Sequence, residues 1–373
     1  MDKRVILAFM KKVFLLLLLG FYSCIEKYDF NISQKNRGIV IQSFISNQSQ
    51  SESFAIPHDG EFFKVLLSET SDVDNIRNSK VTNASVSLMN NEGTRWQYTE
   101  QSNSEYVLEK PYFKAQGNLQ YQLTVILKEG DIFQSSWESM PVLDNQMGTF
   151  SIKEVSPETY VREADEFVIR SVSGINVYVD VPKKKGNETY NYQWSFEPLW
   201  QYTSSLASAV NSSRVVCWVN SSFYQKDFLL LQDKKGDFKK ELFYLQTNGN
   251  DRVYQYFSTL VHQDVVSPEY YSFWKDLQGQ DKKGGLYDQP PFGLETNFTG
   301  SNTKRTVNGY FGVVNRVTKR WTFDPSELSY TTNNNLYDQC ILLDNEPGAK
   351  EGQCYYCDEY NQGNATTRSP SWW

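Results

Sequence analysis

Histidine is nearly missing from this chain: His58 and His262 are the two among 373 residues. They sit in unlike settings and neither belongs to an H-E-x-x-H pattern, which excludes most ordinary hydrolase triads and histidine-rich metal sites. Each reads as a surface or partly packed histidine rather than a catalyst. No G-x-x-x-x-G-K-[ST] run, no G-x-G-x-x-G after a strand and no G-x-S-x-G elbow occurs, so nucleotide binding and serine-hydrolase chemistry lack their anchors. A basic tract is missing too. The formal charge is −7, and an acidic chain of this kind is a poor binder of nucleic acid. Internal repeats, which a structural adhesin would show, are not visible.

Long apolar runs are equally scarce. The longest, VFLLLLLGFY from Val13 to Tyr22, has ten residues, about half of the roughly 20 that a membrane-crossing helix needs. Lys3, Arg4, Lys11 and Lys12 precede it, and Ser23 and Cys24 follow. Basic head, short apolar run, small residue and cysteine form a processing signal, here that of a lipoprotein. Residues 1–23 are therefore expected to be removed and Cys24 to carry lipid, with 24–37 as a tether. The mature protein works outside the cytoplasm on this reading, and losing the basic leader leaves it more acidic still.

Aromatic residues supply 15% of the chain, with 24 Tyr and 23 Phe among many Val, Thr, Ser and Asn, a mixture that suits sheets. GIVIQSFISN from Gly38 reads as a strand. Val81 to Leu88 and Thr94 to Tyr98 flank Asn90, Asn91 and Gly93 as a hairpin, and alternation at Tyr121, Leu123, Val125 and Leu127 turns at Gly130 into IFQSSWESM. An immunoglobulin-like β-sandwich over 38–145 is expected, with Pro141 opening a connector. A second β-rich domain over 146–335 follows, built from INVYVDVP, NYQWSFEP, VVCWV, DFLLLQ, ELFYLQT and VYQYFSTLV. The lysines at 183–185 read as the solvated tip of a hairpin. Trp194, Trp200, Trp218 and Tyr202 suit core positions, with a sugar-stacking platform as the alternative.

One segment breaks the pattern. Ser267, Pro268 and Glu269 start a helix near 267–278 whose Tyr270, Phe273, Trp274 and Leu277 share one face. The GGLYDQPP turn from Gly284 to Pro291 follows, glycines permitting a tight path and prolines stiffening its exit. Tyr287 and Phe292 flank it, and with Trp274 they are the candidate partner-binding residues. The fold class is thus mainly β, two β-sandwich domains with one short helix in the second and a cysteine-containing tail over 336–373.

Besides Cys24 there are Cys217, Cys340, Cys354 and Cys357. The C-x2-C at 354 and 357 fits zinc in principle, but an even count in an exported protein favours disulfides. Three pairings are open, and the favoured one joins Cys217 to a tail cysteine while the other two close locally. No metal and no cofactor is expected.

The stretch from Tyr254 to Phe323 resembles the DUF4249 family of Bacteroidota outer-membrane lipoproteins. The matching positions are Tyr270 and Trp274 in the helix, Gly284, Gly285, Leu286, Asp288, Pro290 and Pro291 in the turn, and Gly309, Tyr310, Phe311 and Val313 in the next strand. The cysteine at 24, the strand at 38, CYYC and the terminal SPSWW resemble the family's start and end. The resemblance implies lipid anchoring at the outer membrane and a TonB-dependent receptor as partner, and it carries over no catalytic residue. The expected function is a non-enzymatic binding or accessory subunit of such a transporter, substrate open. The alternatives are a glycan- or peptide-acting hydrolase, marked by a cleft with two carboxylates about 5 to 10 Å apart, and a surface glycan-binding adhesin.

Overall fold

The computed structural model describes residues 37–373 apart from 57–59, 71–78, 102–103, 164–165, 185, 208–212, 222, 226, 282–292 and 345–351. Cys24, His58, Tyr287, Phe292 and the whole GGLYDQPP turn lie outside the described residues.

A ten-stranded sheet runs the length of the molecule. Its middle consists of a long strand (Tyr190–Thr203), a central strand (Phe257–Val266), a bridging strand (Val307–Phe323) and the first strand (Ile39–Ser46), in that order. Lys64–Glu69, Glu105–Val107 and Thr99–Glu100 extend it on one side. Val216–Asn220 and Asn364–Thr366 extend it on the other, and Leu229–Asp233 pairs with the long strand off this path. The first and bridging strands run parallel, from Ile39 opposite Val307 to Ser46 opposite Val314. The remaining pairs in the sheet are antiparallel.

Two smaller sheets cover one face of the large sheet. A six-stranded sheet that includes Ser85–Asn90, Gln120–Ile126 and Ile132–Ser135 lies over the N-terminal half. It encloses a core of Ile39, Ile41, Ile45, Val65, Leu88, Leu123, Phe133, Phe311 and Val313. A three-stranded sheet of Phe150–Val155, Gly174–Val181 and Phe238–Gln246 lies over the other half. That core holds Val177, Tyr192, Trp194, Trp200, Val261, Val265, Trp321 and Phe323. The protein is mainly β, as its composition leads one to expect. A two-stranded hairpin (Glu158–Glu163 with Glu166–Ser171) forms a fourth sheet of its own, with Tyr160, Phe167 and Ile169 exposed.

Alternation along the bridging strand explains how one element serves both cores. Side chains two apart share a face, so Phe311 and Val313 enter the first core while Val317, Trp321 and Phe323 join the second. The first sandwich is therefore not closed by 38–145 alone: Phe298–Ser301 pairs with Ile132–Ser135, and the bridging strand pairs with the first. The connector after Pro141 is pinned at the junction. Asn315 donates to the Pro141 and Leu143 carbonyls, and Asn145 donates to those of Gln263 and Asn315.

The hairpin reading of the lysine turn is corrected. Gly174–Val181 and Tyr190–Thr203 belong to different sheets, so the two strands are not the arms of one hairpin. Lys184 folds back over the Tyr190 and Tyr192 rings at 4.0 and 4.5 Å, a cation–π contact that a free hairpin tip would not make. Among the described residues three helices accompany the expected one: Gln50–Ser53, Asn335–Asp344 and Gly352–Tyr355.

The tail is stapled onto the second half. Cys217 bonds Cys357 and Cys340 bonds Cys354, each with Cα atoms 5.5 Å apart. The first closes a span of 140 residues, a constraint on the unfolded chain of about 5 kcal/mol in the loop-entropy picture. Arg214 reaches Asp358 at 2.8 Å and holds that carboxyl below its usual range. Asn364–Thr366 then pairs with Val216–Asn220 and covers an edge that would otherwise be free to aggregate.

Gly309 shows what the G-Y-F element needs. Its φ is +106°, and a Cβ there would lie 1.9 Å from the Ile41 carbonyl oxygen of the first strand. Gly309→Ala should cost about 3 kcal/mol or more, since both backbone strain and a fixed clash act. Gly93→Ala, with φ +87° in open space, should cost only about 1 kcal/mol. Urea unfolding of both variants checks the difference, and equal losses would assign Gly309 to turn preference alone.

Candidate functional site

Among the described residues no sheet covers the other face of the large sheet. A helix, Pro268–Asp281, lies there. Ser267 starts it as expected, its hydroxyl accepting from the Tyr270 amide at 3.2 Å. Tyr270 and Phe273 are buried against Tyr310, Val314 and Val266. Ring centroids of Tyr270 and Phe273 stand 5.5 and 5.4 Å from that of Tyr310. Gly312 makes this seat possible, because a Cβ there would come within 2.3 Å of the Tyr270 ring. Burial pushes the Tyr270 and Tyr310 hydroxyls far above the usual phenol range, so both remain neutral hydrogen-bonding groups.

Beside the helix opens a cleft of about 920 Å³, near the upper end of small-molecule sites. Its floor is the face of the sheet opposite the cores, and strand periodicity puts alternate residues there. Three cross-strand rows result: Gln193, Asp264 and Arg316; Ser195, His262 and Thr318; Glu197, Leu260 and Arg320. Val40, Gln42 and Phe44 of the first strand continue the floor beside Asn308 and Tyr310. Trp274, Leu277, Phe228 and Leu66 supply apolar wall.

The charges on the floor hold one another. Arg316 makes two bonds of 2.7 Å to the Asp264 carboxylate and lies 4.4 Å from the Phe44 ring. Burial works against its charge, but the Asp264 carboxylate outweighs that and raises its pKa. His262 lies between two partners, with Nδ1 2.9 Å from Thr318 Oγ1 and Nε2 2.7 Å from Glu197 Oε1. Thr318 passes the chain on, donating to Gln48 Oε1 at 2.9 Å. Hydroxyl, imidazole and carboxylate thus stand in the order of an acyl-transfer triad. The threonine, however, is only 8% exposed and its proton points to Gln48 rather than to His262, so it is not presented as a nucleophile. At the rim, Lys64 contacts Glu105 at 3.1 Å and Glu61 at 3.8 Å. Burial opposes its charge, and the carboxylates of Glu61, Glu105 and Glu197 overcome this and raise its pKa.

Of the partner-binding candidates, Trp274 lines this cleft, 5.0 Å from Phe228 ring to ring, while Tyr287 and Phe292 lie outside the described residues. Trp194, Trp200 and Tyr202 are interior. Trp218 stands on the opposite parity, against Trp373. The polar floor was not singled out from sequence. Its signal was present in VHQDV, where His262 and Asp264 alternate with the apolar Val261 and Val265, and in Gln193, Ser195 and Glu197 at every second position. Among the described residues no three His, Cys, Asp or Glu side chains group to hold a metal ion, and no helix is long and apolar enough to cross a membrane.

Asp264→Asn would leave Arg316 buried without its counter-charge, a loss of about 3 to 5 kcal/mol. Glu197→Gln should cost about 1 kcal/mol or less, because that carboxylate is 42% exposed. Chemical denaturation ranks the two, and the reverse order would contradict this account of the floor.

The family model described as "Domain of unknown function (DUF4249)" matches residues 25–320. No curated protein and no solved structure matches the chain.

Proposed function

The chain belongs to the DUF4249 family, and from that premise we propose that it is a lipid-anchored, non-enzymatic binding protein of the bacterial outer membrane. It acts there as an accessory subunit of a TonB-dependent transporter and holds a ligand in the cleft beside Pro268–Asp281. The observation that carries the reading is the cleft itself: about 920 Å³, with aromatic wall and polar floor, and with its floor charges tied up. Asp264 is bonded to Arg316 and Glu197 to His262. Asp264 is locked by two bonds to Arg316. The hydroxyl beside His262 belongs to the buried Thr318 and donates to Gln48, so among the described residues the histidine has no presented nucleophile to activate, which favours binding over hydrolysis. The anchor rests on the segment from Lys3 to Cys24, where Cys24 would carry the lipid. The partner rests on the likeness of the helix, turn and strand to the family.

One preparation tests anchor and partner together. Expressed in its native membrane with an affinity tag, the protein should fractionate with membranes and, after detergent extraction, bring down an outer-membrane barrel in near-equal amount. Cys24→Ala should release it to the soluble fraction. Recovery of the unsubstituted protein alone counts against the transporter, and a Cys24→Ala protein that resists high-salt washing counts against the lipid.

A further inference from the structure

We propose that the cleft takes a neutral, polyhydroxylated ligand, an oligosaccharide, which rests on the reading of the cleft as a binding site and gives that site its chemical class. Charge comes first. The cations of the floor and rim are Lys64, held by Glu61 and Glu105, Arg316, held by Asp264, and Arg320 at the end of the third row, which donates to Ser258 Oγ at 3.0 Å and lies 3.9 Å from the Trp372 ring. An anionic ligand would find no free counter-charge and would meet Glu61, Glu197 and Asp264. A cationic one would compete with His262 for Glu197 and with Arg316 for Asp264, and the second of these would strand a buried guanidinium.

The uncommitted groups are amides and a hydroxyl. Gln193 is 7% exposed, lines the cleft, and its carboxamide has no hydrogen-bond partner among the described residues. Ser195, two residues on and directly opposite His262, is likewise without a partner among them, as are the side chains of Gln42 and Asn308 across the floor. The Gln193 amide therefore meets water in the cleft, and a ligand hydroxyl that takes that water's place can keep its hydrogen bonds. Carboxamides and hydroxyls both donate and accept, which matches sugar hydroxyls, since these also do both.

The wall completes the match. Trp274 and Phe228 meet edge to face, and Leu277 and Leu66 lie nearby. This is an apolar surface for the C–H face of a sugar ring, while the ring's hydroxyl edge meets the floor. A peptide is the less favoured ligand. Extended peptides bind by adding to a free sheet edge, whereas the floor of this cleft is the face of the sheet. The edge strands are Thr99–Glu100, Asn364–Thr366 and, beside the cleft wall at Phe228, Leu229–Asp233, and the peptide arm of the test below addresses the last of these.

The test uses the full mature protein in detergent, applied to an array of neutral, sulfated and sialylated oligosaccharides and to a peptide library, with titration calorimetry of whatever binds. Neutral oligosaccharides should bind. Gln193→Ala should weaken the best of them about tenfold, the equivalent of one lost hydrogen bond, with Ser195→Ala additive. Both variants should keep the unsubstituted melting temperature within a few degrees. Selective binding of charged glycans, or of peptides with sensitivity to Gln193→Ala, would overturn the ligand class while leaving a binding protein. Neutral-glycan binding indifferent to both substitutions, or no binding at all, would overturn the assignment of this cleft. Recovery of the barrel is a separate readout, and it alone decides the transporter reading.

Discussion

The seventeen residues of Val307–Phe323 have to satisfy two hydrophobic cores on one face while staying in register with strands on both sides. Period-two alternation makes this feasible, because every second side chain from Phe311 to Phe323 points to the covered face. The constraint reaches into the sequence. Gly309 is required where the first strand comes too close for a side chain, and Gly312 where the Tyr270 ring sits. Tyr310 between them receives the helix. The G-Y-F element thus has a physical content: an approach, a seat and a core anchor in consecutive positions.

Once both cores lie on one side, the other side of the same strands is left with a different task. A central strand buried along its whole length, carrying His262 and Asp264, could not remain stable if those groups lacked partners. Pairing with Glu197 and Arg316 solves this locally and leaves a polar floor rather than a third core. The helix then covers only part of it. An open polar face, rigid because the sheet beneath is packed, is a suitable place to hold a ligand without rearrangement.

Much of this was legible beforehand, and the failures have physical causes. The hairpins around Gly93 and Gly130, the helix with Ser267 and Pro268 at its start, and the β-rich second half all follow from local turn chemistry and periodicity. What local patterns could not show is partnership between distant segments. Nothing near Val307 announces a parallel partner at Ile39, so the first sandwich was expected to end before 145. The lysine turn at 183–187 looked like a hairpin because two alternating segments flank it, yet each found its partners elsewhere. Trp194, Trp200 and Tyr202 take the core positions expected of them, while Trp218 does not. The site stayed hidden because Gln193, Ser195 and Glu197 read as the polar side of an ordinary half-exposed strand, and only the sheet's third dimension shows that they gather with His262 and Arg316.

If one strand truly ties both cores together, neither can melt without the other. Scanning calorimetry of the disulfide-intact mature protein measures this directly. A single transition whose calorimetric and van't Hoff enthalpies agree is the predicted result. Two resolved transitions, the first leaving the tryptophan-rich second core intact while the 38–145 half unfolds, would contradict the shared-strand account.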